Sequence, residues 1–312
     1  MDALLERRPP TIWERFKSSP LLFFTRLLYT PLLPSKPDRL DKLRIICISD
    51  THNSHNLQPP LPAGDILIHA GDLTNSGTRQ ELDAVLCWLE SQPYPHKLFI
   101  AGNHDTCLAD PDMPLYISAT YPSLTYLPEA SASITVRGRT LRVYGSPYTP
   151  KYGSWAFQYP RVSPLLYYSP SQNSGSGSES EWEATDIWSR IPLLTDILIT
   201  HGPPFGHLDL DRMGCYPLLA VLWRIRPALH AFGHIHAARG VEAVRWDKVS
   251  AAYEDVCAGR VGWSGLVRLG WWVVVGWVWR SPVGGGVTVM VNAASVGGLG
   301  DDQRKGAVVV EI

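Results

Sequence analysis

L-R-I-I-C-I-S-D-T-H, residues 43–52, is an apolar, β-branched run that ends in an acidic and an imidazole side chain. The pattern returns in D-I-L-I-H-A-G-D, residues 65–72, and in K-L-F-I-A-G-N-H-D, residues 97–105. Between these two runs, residues 77–90 carry leucine and valine at the spacing of one helix face, which predicts a helix. Strand, helix and strand in this order predict a parallel sheet with helices on its faces.

A second group of strands is predicted in the rest of the chain. The runs that predict them are residues 133–145, 196–202, 228–236, 287–292 and 306–312. The first of these is expected to be a hairpin that turns at Arg137 and Gly138. Two strand-rich halves that each contain helices predict an α/β fold in which two sheets pack together and helices cover them.

The chain divides into an N-terminal extension, residues 1–42, and one domain, residues 43–312. Residues 1–44 hold nine basic and five acidic side chains, so this end is basic. Residues 20–34 are apolar but interrupted by Arg26 and Pro31, which excludes a spanning helix and a signal peptide.

Two segments of the domain are predicted to be insertions. Residues 169–181 are rich in serine and glycine and predict a flexible loop, whereas residues 241–286 hold six of the twelve tryptophans. The apolar residues 261–280 are too short to span a membrane. This segment and residues 20–34 are expected to pack on the domain. Peripheral membrane contact is the alternative for both segments.

Composition limits the partners and the compartment. A formal charge of −1 gives no overall positive field, so no nucleic-acid partner is expected. Five scattered cysteines without a C-x-x-C pair argue against disulfides and a thiolate zinc site, and predict a reducing, cytoplasmic location. Ten histidines direct any metal chemistry to imidazole and carboxylate ligands.

Polar residues follow five of the predicted strands and should meet at one rim, since ligands bind at the carboxyl ends of parallel strands. The candidate metal ligands are Asp50, His52, Asp72, Asn103, His201, His234 and His236. Oxygen and nitrogen donors with this many imidazoles favour Mn, Fe or Zn over calcium. Seven ligands exceed what one ion needs, so two divalent ions are predicted.

These blocks, D-x-H, G-D, G-N-H-D, H and G-H-x-H in this order, resemble the calcineurin-like metallophosphoesterase superfamily. The resemblance runs from about residue 43 to 312 and implies a four-layer α/β/β/α sandwich of two mixed sheets. The blocks T-H-G-P-P (200–204), P-K-Y-G-S-W-A-F-Q (150–158) and V-N-A-A-S (291–295) are similar to small metallophosphoesterase-domain proteins related to class III cyclic-nucleotide phosphodiesterases.

The resemblance also implies a role for each residue. One ion would be held by Asp50, His52 and His236, the other by Asn103, His201 and His234, and Asp72 would bridge them. A metal-bridging hydroxide would attack phosphorus in line, as in other two-metal sites. The catalytic residues would be His104, which protonates the leaving oxygen, and Asp105, which orients His104.

The expected activity is that of a hydrolase acting on a small phosphate ester, most simply a phosphodiester such as a cyclic nucleotide. A phosphomonoesterase or protein phosphatase is the alternative within the same chemistry. A non-catalytic, metal-binding scaffold is the alternative of another class. His69 is expected to be a core histidine. A loop carries Tyr152, Trp155 and Phe157, which either stack a base or aromatic leaving group or simply anchor the loop.

Overall fold

The computed structural model describes residues 10–30, 42–167, 179–210, 212–279, 286–298 and 302–312. Its helices are α1 Ile12–Ser18, α2 Pro20–Tyr29, α3 Arg79–Ser91, α4 Met113–Thr120, α5 Pro164–Tyr167, α6 Glu179–Ser189, α7 Tyr216–Ile225, α8 Lys248–Cys257 and α9 Trp263–Trp279. Its strands are β1 Arg44–Ile48, β2 Ile66–His69, β3 His96–Phe99, β4 Leu124–Tyr126, β5 Ala130–Val136, β6 Arg139–Ser146, β7 Thr149–Pro150, β8 Gln158–Tyr159, β9 Ile197–Thr200, β10 Leu229–Phe232, β11 Gly240–Arg245, β12 Val287–Asn292, β13 Val296–Gly297, β14 Gln303–Arg304 and β15 Val308–Glu311.

The strands form two large mixed sheets. The first has five strands in the order β15-β1-β2-β3-β4, with β1 to β4 parallel and β15 antiparallel to β1. The second has six strands in the order β11-β12-β10-β9-β6-β5, and its four central strands are parallel. In both sheets, candidate ligands follow the carboxyl ends of parallel strands, as the sequence predicts.

Alternate residues of each strand face different layers, because successive side chains of a strand point to opposite faces. In β1, Ile45 and Cys47 lie in the core between the two sheets, whereas Ile46 lies in the core under α3 and α4. In β9, Ile199 lies between the sheets and Leu198 lies under α2 and α6 to α9. The layers are therefore helices, sheet, sheet and helices, which confirms the predicted α/β/β/α sandwich.

Local sequence fixes the elements that position the site. Thr78 caps the N-terminus of helix α3. Its hydroxyl accepts a hydrogen bond from the Glu81 amide at 3.3 Å, and the Glu81 carboxylate accepts one from the Thr78 amide in return. The predicted hairpin is also present: Arg137 and Gly138 join β5 to β6, both with positive φ (48° and 78°). Such a two-residue turn matches the twist of the strands that it joins.

The tryptophan-rich segment is not an insertion from its first residue. Strand β11 pairs with β12 along its whole length and forms an edge of the second sheet, so residues 240–245 belong to the sheet itself. Helices α8 and α9 follow and bury Tyr253 and Leu269 on the outer face of that sheet. The low-complexity segment predicted near 169–181 lies outside the described residues up to residue 178, after which α6 begins.

The N-terminal extension packs on the domain through α2. Leu22, Thr25 and Tyr29 are its buried residues, and the ring of Tyr29 stacks on that of Tyr253 in α8 with centroids 4.0 Å apart. The Tyr29 hydroxyl also lies 3.0 Å from the Ser250 hydroxyl. Within the described ranges, no helix combines the length and the apolar character needed to cross a membrane.

Candidate active site

The candidate ligands lie where strands of the two sheets end. Asp50 and Asp72 come two or three residues after β1 and β2, and Asn103 follows β3 in the same sheet. His201 follows β9 directly and His234 comes two residues after β10, in the second sheet. Both sheets therefore contribute to one site at their shared rim, as expected for ligands at the carboxyl ends of parallel strands.

A first cluster joins Asp50, His52 and His236. One potential ligand atom from each lies within 4.8 Å of the others, and Nε2 of His236 is 3.2 Å from Oδ1 of Asp50. The side chains of Asp50 and His236 are almost completely buried. This is the set predicted for one ion.

A second cluster joins Asp72, His201 and His234, again with ligand atoms within 4.8 Å of one another. Nε2 of His201 lies 3.3 Å from Oδ2 of Asp72 and 3.1 Å from Oδ1 of Asn103. The same Oδ2 of Asp72 is 3.6 Å from Nε2 of His52. Asp72 thus touches both clusters, which is the position that a bridging carboxylate needs.

The backbone at these ligands is unusual for residues with side chains. Asp50, His52, Asp72 and His234 have φ values of 54°, 40°, 51° and 67°, in the left-handed region. Such a conformation costs free energy in residues other than glycine and clusters at functional sites. Four of the seven predicted ligands share it, so the backbone is held in a conformation that serves the side chains.

Two glycines leave room for the carboxylates. A Cβ on Gly102 would lie 2.3 Å from both the amide nitrogen and Oδ1 of Asp72, and one on Gly233 would lie 2.1 Å from Oδ2 of Asp50. Neither contact is possible between real atoms. The loops after β3 and β10 can therefore pass this close to the ligands only because these positions lack a side chain.

Backbone carbonyls orient three of the imidazole rings. Nδ1 of His52, His104 and His201 lies 3.3, 2.8 and 2.9 Å from the carbonyl oxygens of Thr74, Asn75 and Ala70. Since a carbonyl only accepts, each of these Nδ1 atoms carries a proton, and Nε2 is the ring nitrogen left available to the site. Such partners fix the tautomer and the ring orientation of metal-binding histidines.

The electrostatics of the clusters suit a cation. Burial raises the pKa of Asp50 and Asp72, but His236 and His201 respectively outweigh it and hold both pKa values below the ordinary range. Burial also lowers the pKa of His234 to about 3, which leaves its ring uncharged. Burial would lower the pKa of His201, but Asp72 raises it to about 9, so without a metal this ring is the cationic partner of the carboxylate. A divalent transition metal that displaced the proton would take over that role, since carboxylates and imidazoles are the donors that such metals bind. The residues present thus fit a divalent metal ion.

His104 belongs to the same site. Its ring forms a third potential ligand group with His52 and Asp72, and its amide donates to Oδ1 of Asp72 at 2.8 Å. The ring packs edge-on against His52 with centroids 4.7 Å apart. The structure therefore places the predicted proton donor beside the predicted bridging carboxylate.

The contacts of Asp105 differ from those of its predicted role, which stays a prediction. Its carboxylate accepts hydrogen bonds from the amides of Gly102, Leu73 and Thr74 at 2.8 to 3.2 Å and from the Thr74 hydroxyl at 2.6 Å. Asp105 therefore ties together the loops that carry Asp72 and Asn103, and the carbonyl of Asn75 orients His104 instead. Sequence reasoning missed that partner because a backbone carbonyl has no residue signature.

The 150–158 loop covers one side of His104. The indole of Trp155 stacks on the imidazole with centroids 4.0 Å apart and planes inclined by 26°. The amide of Ala156 donates to the carbonyl of Asn103 at 3.3 Å, so the loop is attached to the ligand segment. Trp155 nonetheless keeps 43% of its surface exposed. It is the aromatic residue of this loop that borders the site.

The V-N-A-A-S block supports the site from behind. The Asn292 side-chain amide donates to the carbonyls of Ile235 at 3.0 Å and Leu208 at 3.2 Å, which joins the loops after β10 and β9. The Ser295 hydroxyl donates to the Asp50 carbonyl at 3.2 Å. This block thus holds the ligand loops in place without contributing a ligand.

Two other histidines are structural. His69 is buried and its Nε2 lies 3.0 Å from the Thr51 hydroxyl, as a core histidine would. His207 lies between two carboxylates, 2.7 Å from Glu242 and 3.3 Å from Glu254, and its side chain is fully buried. No sequence pattern indicates that His207 meets Glu242 and Glu254, because the three residues are far apart along the chain.

Comparison with known proteins finds relatives along the whole chain or most of it. An alignment of 325 positions that covers the whole chain is 42% identical to a protein of Emericella nidulans named probable rhamnogalacturonate lyase C, but the match covers only 29% of that protein. Metallophosphoesterase domain-containing protein 1 of Homo sapiens is 38% identical over 225 residues, 64% of this chain and 62% of that protein. A UPF0046 protein of Caenorhabditis elegans is 35% identical over 237 residues, 67% of this chain and 76% of that protein.

Solved structures are more distant. The crystal structure of the Thermus thermophilus protein TT1561 is 16% identical with a TM-score of 0.44, covering 65% of this chain and 85% of that chain. This chain matches less than two thirds of the length of the Emericella nidulans protein and of the Homo sapiens protein named above. The family model described as calcineurin-like phosphoesterase matches residues 43–238, more than half of the chain. All seven candidate ligands fall within that match, and the chain belongs to the calcineurin-like phosphoesterase family.

Proposed function

We propose that this chain hydrolyses a small phosphate ester, in first place a phosphodiester such as a cyclic nucleotide, with two divalent metal ions. Asp50, His52 and His236 would hold one ion, Asn103, His201 and His234 the other, and Asp72 both. When bound, the ions would activate a water molecule and neutralise charge on the phosphoryl oxygens. Their identity is proposed to be Mn, Fe or Zn from the donor types.

The observation that carries the proposal is the placement of His104. Its Nδ1 donates to the carbonyl of Asn75 and its ring forms a group with Asp72 and His52. A site that only stores metal needs no histidine held there in one orientation. With one proton held on Nδ1 by that carbonyl, the imidazolium form of His104 would carry its second proton on Nε2 and deliver it from there to the leaving oxygen.

The proposed preference for a diester rests on Trp155. A diester leaving group is an alcohol that carries the rest of the molecule, and in a cyclic nucleotide the rest includes a flat base. Trp155 lies directly beside the proton donor and is partly exposed, so it could stack such a base. A phosphomonoester with a small leaving group would make no use of this surface.

The proposal is tested by a panel of metals and substrates. Bis-p-nitrophenyl phosphate, p-nitrophenyl phosphate and the 2′,3′- and 3′,5′-cyclic nucleotides would be assayed with Mn, Fe, Zn, Ni and Mg. Turnover of diesters above that of the monoester supports the proposal, and the reverse order assigns the site to monoesters. Metal binding measured by calorimetry without any turnover would instead support a scaffold.

His104→Ala sharpens the same test. Loss of general acid catalysis costs roughly 10²- to 10⁴-fold in kcat, while the seven proposed ligands remain. His96→Ala is the matched control, because His96 begins β3 at the opposite end of that strand from Asn103 and contacts the carbonyl of Thr135. Equal activity of the two variants would remove His104 from the mechanism.

A further inference from the structure

Three helices outside the active site expose an unusual share of apolar surface. Among the described residues, sixteen large hydrophobic side chains are exposed, and half of them lie on α1, α2 and α9. They are Ile12, Trp13, Phe24, Leu27, Trp263, Val267, Trp271 and Val274, and together we call them the apolar face. Exposed apolar side chains that are grouped in this way mark interaction sites, whereas single ones are normal on any surface.

Helix α9 presents its share of the apolar face as one stripe. Trp263, Val267, Trp271 and Val274 follow one another at spacings of four, four and three residues, which puts them on the same side of a helix. The other side of α9 is used for packing, since Leu269 is completely buried in the core below. The exposed stripe is therefore additional to the face that the fold needs.

Aromatic contacts connect this stripe to the N-terminal helices. The ring centroids of Trp263 and Phe24 are 6.4 Å apart, those of Phe24 and Phe16 are 6.1 Å apart, and those of Phe16 and Trp13 are 5.6 Å apart. The chain of rings runs from α9 across α2 to α1. The apolar face is thus one continuous surface, although its parts are more than 230 residues apart in sequence.

Basic side chains accompany the apolar face. Helices α1 and α2 hold Arg15, Lys17 and Arg26 against one acidic residue, Glu14. The Lys17 ammonium lies 5.1 Å from the ring centroid of Trp13, at the edge of the face. Aromatic rings with lysine and arginine beside them suit the headgroup layer of a membrane, where an apolar body and a charged end are both accommodated.

A cavity of about 450 Å³ between α1 and α2 combines the same two properties. Ile12, Leu22 and Phe23 line it, and so do Arg15 and Arg26. Burial and, after it, the neighbouring Arg26 lower the pKa of Arg15. Arg26 is engaged by Tyr253 and Asp209, so Arg15, which is exposed, is the guanidinium that a phosphate attached to an acyl chain would meet beside these apolar side chains.

We propose that α1, α2 and α9 form a docking surface for a membrane interface that contains anionic phospholipids. The apolar face would enter the boundary between headgroups and acyl chains, and the exposed Arg15 and Lys17 of α1 would contact lipid phosphates. A second copy of the chain is a poorer occupant, because it would bring the same basic helices against each other. The proposal concerns binding and does not depend on the activity of the metal site.

The test uses the full chain and vesicles of phosphatidylcholine with and without phosphatidylserine, in a sedimentation assay. The variant Val267→Glu with Trp271→Glu removes two side chains that are 74% and 64% exposed, so it should not disturb the core. The matched control is Leu115→Glu with Leu194→Glu, which makes the same change at residues 75% and 65% exposed, one in α4 and the other in the connection between α6 and β9.

We expect the wild type and the control to sediment with the anionic vesicles, and added salt to weaken this binding. The variant in α9 should lose about tenfold in partition coefficient for each apolar side chain removed, which is the usual effect of returning such a group to water. Hydrolytic activity, metal affinity and the temperature of thermal unfolding should remain at the wild-type level, because neither Val267 nor Trp271 belongs to the active site.

Three results would overturn the proposal. The first is a wild-type chain that sediments with neither kind of vesicle. The second is an α9 variant that binds as well as the control. The third is self-association of the wild type in analytical ultracentrifugation that the α9 variant abolishes, which would assign the apolar face to a second copy.

Discussion

Gly102→Ala tests whether the closeness of the ligand loops controls activity. A Cβ at this position would lie 2.3 Å from the amide nitrogen and Oδ1 of Asp72 and 2.8 Å from Cε1 of His201. Real Cβ atoms essentially never approach closer than 3.0 Å, so the Asp72 segment must move by about 0.7 Å, the difference between the two distances. Misplacement of catalytic groups by about 1 Å can cost on the order of 100-fold in rate.

We therefore expect Gly102→Ala to lower kcat/KM for bis-p-nitrophenyl phosphate about 100-fold and to weaken Mn binding measured by calorimetry. The fold should survive, because one added methyl group costs about 1 to 3 kcal/mol of stability when a tight site must adjust. Thermal unfolding followed by circular dichroism checks this point. Calorimetry tests the same prediction in a chain without turnover, because a displaced Asp72 would weaken Mn binding in either case.

Gly262→Ala is the matched control. No heavy atom lies within 4 Å of the Cβ that would be added there, and its φ is not in the left-handed region. This variant should keep wild-type activity and metal affinity. If Gly102→Ala also keeps both within about threefold, the loop after β3 does not hold Asp72 in the way described, and the reasoning is refuted.

Three further predictions follow from the same contacts. Trp155→Ala should raise KM for cyclic nucleotides about threefold to tenfold and leave that for glycerol phosphate, a monoester without an aromatic ring, unchanged, as expected for loss of one stacking contact. His207→Gln should lower the free energy of unfolding by about 3 to 5 kcal/mol at pH 7, measured by urea denaturation, because it leaves Glu242 and Glu254 buried without their partner. Burial alone would lower the pKa of His207, but these two carboxylates raise it to about 10, so the stabilisation should be complete below pH 6.5 and lost as the pH rises through about 10. Chelation by EDTA should lower the melting temperature, and saturating Mn should restore it, since a ligand that binds only the folded state stabilises it by about 2.7 kcal/mol at 100 times Kd.

Much of the fold and the site is predictable because it depends on local patterns. The runs at residues 43–52 and 65–72 are short, apolar and followed at once by a polar ligand, which indicates both a buried strand and its functional end. The hairpin at Arg137 and Gly138 is predictable for the same reason, since its turn is encoded by adjacent residues. Convergence of Asp50, Asp72 and Asn103 then follows from the parallel pairing of β1, β2 and β3. His201 and His234 reach the same rim because the second sheet packs on the first.

What could not be predicted depends on contacts between distant residues. The neighbour of His104 in sequence is Asp105, but the two residues point into different surroundings, and the orienting group is the carbonyl of Asn75, 29 residues earlier. Likewise the unusual composition of residues 241–286 predicts an insertion. Composition does not show that β11 pairs with β12 and so belongs to the sheet. Neither contact leaves a mark in a single sequence.

The candidate ligands and Trp155 are held by different parts of the fold. The ligands are held by strand ends, by positive φ at Asp50 and Asp72, and by backbone carbonyls behind His52 and His201, so the metal site is specified by the frame of the fold. Trp155 instead belongs to a loop that contacts this frame through the Ala156 amide on the carbonyl of Asn103, through the ring of Phe157 and through its own stacking on His104. If the proposed function is correct, a change in that loop would alter which ester is accepted without disturbing the ligands, and substrate preference should vary more easily than the proposed hydrolytic chemistry.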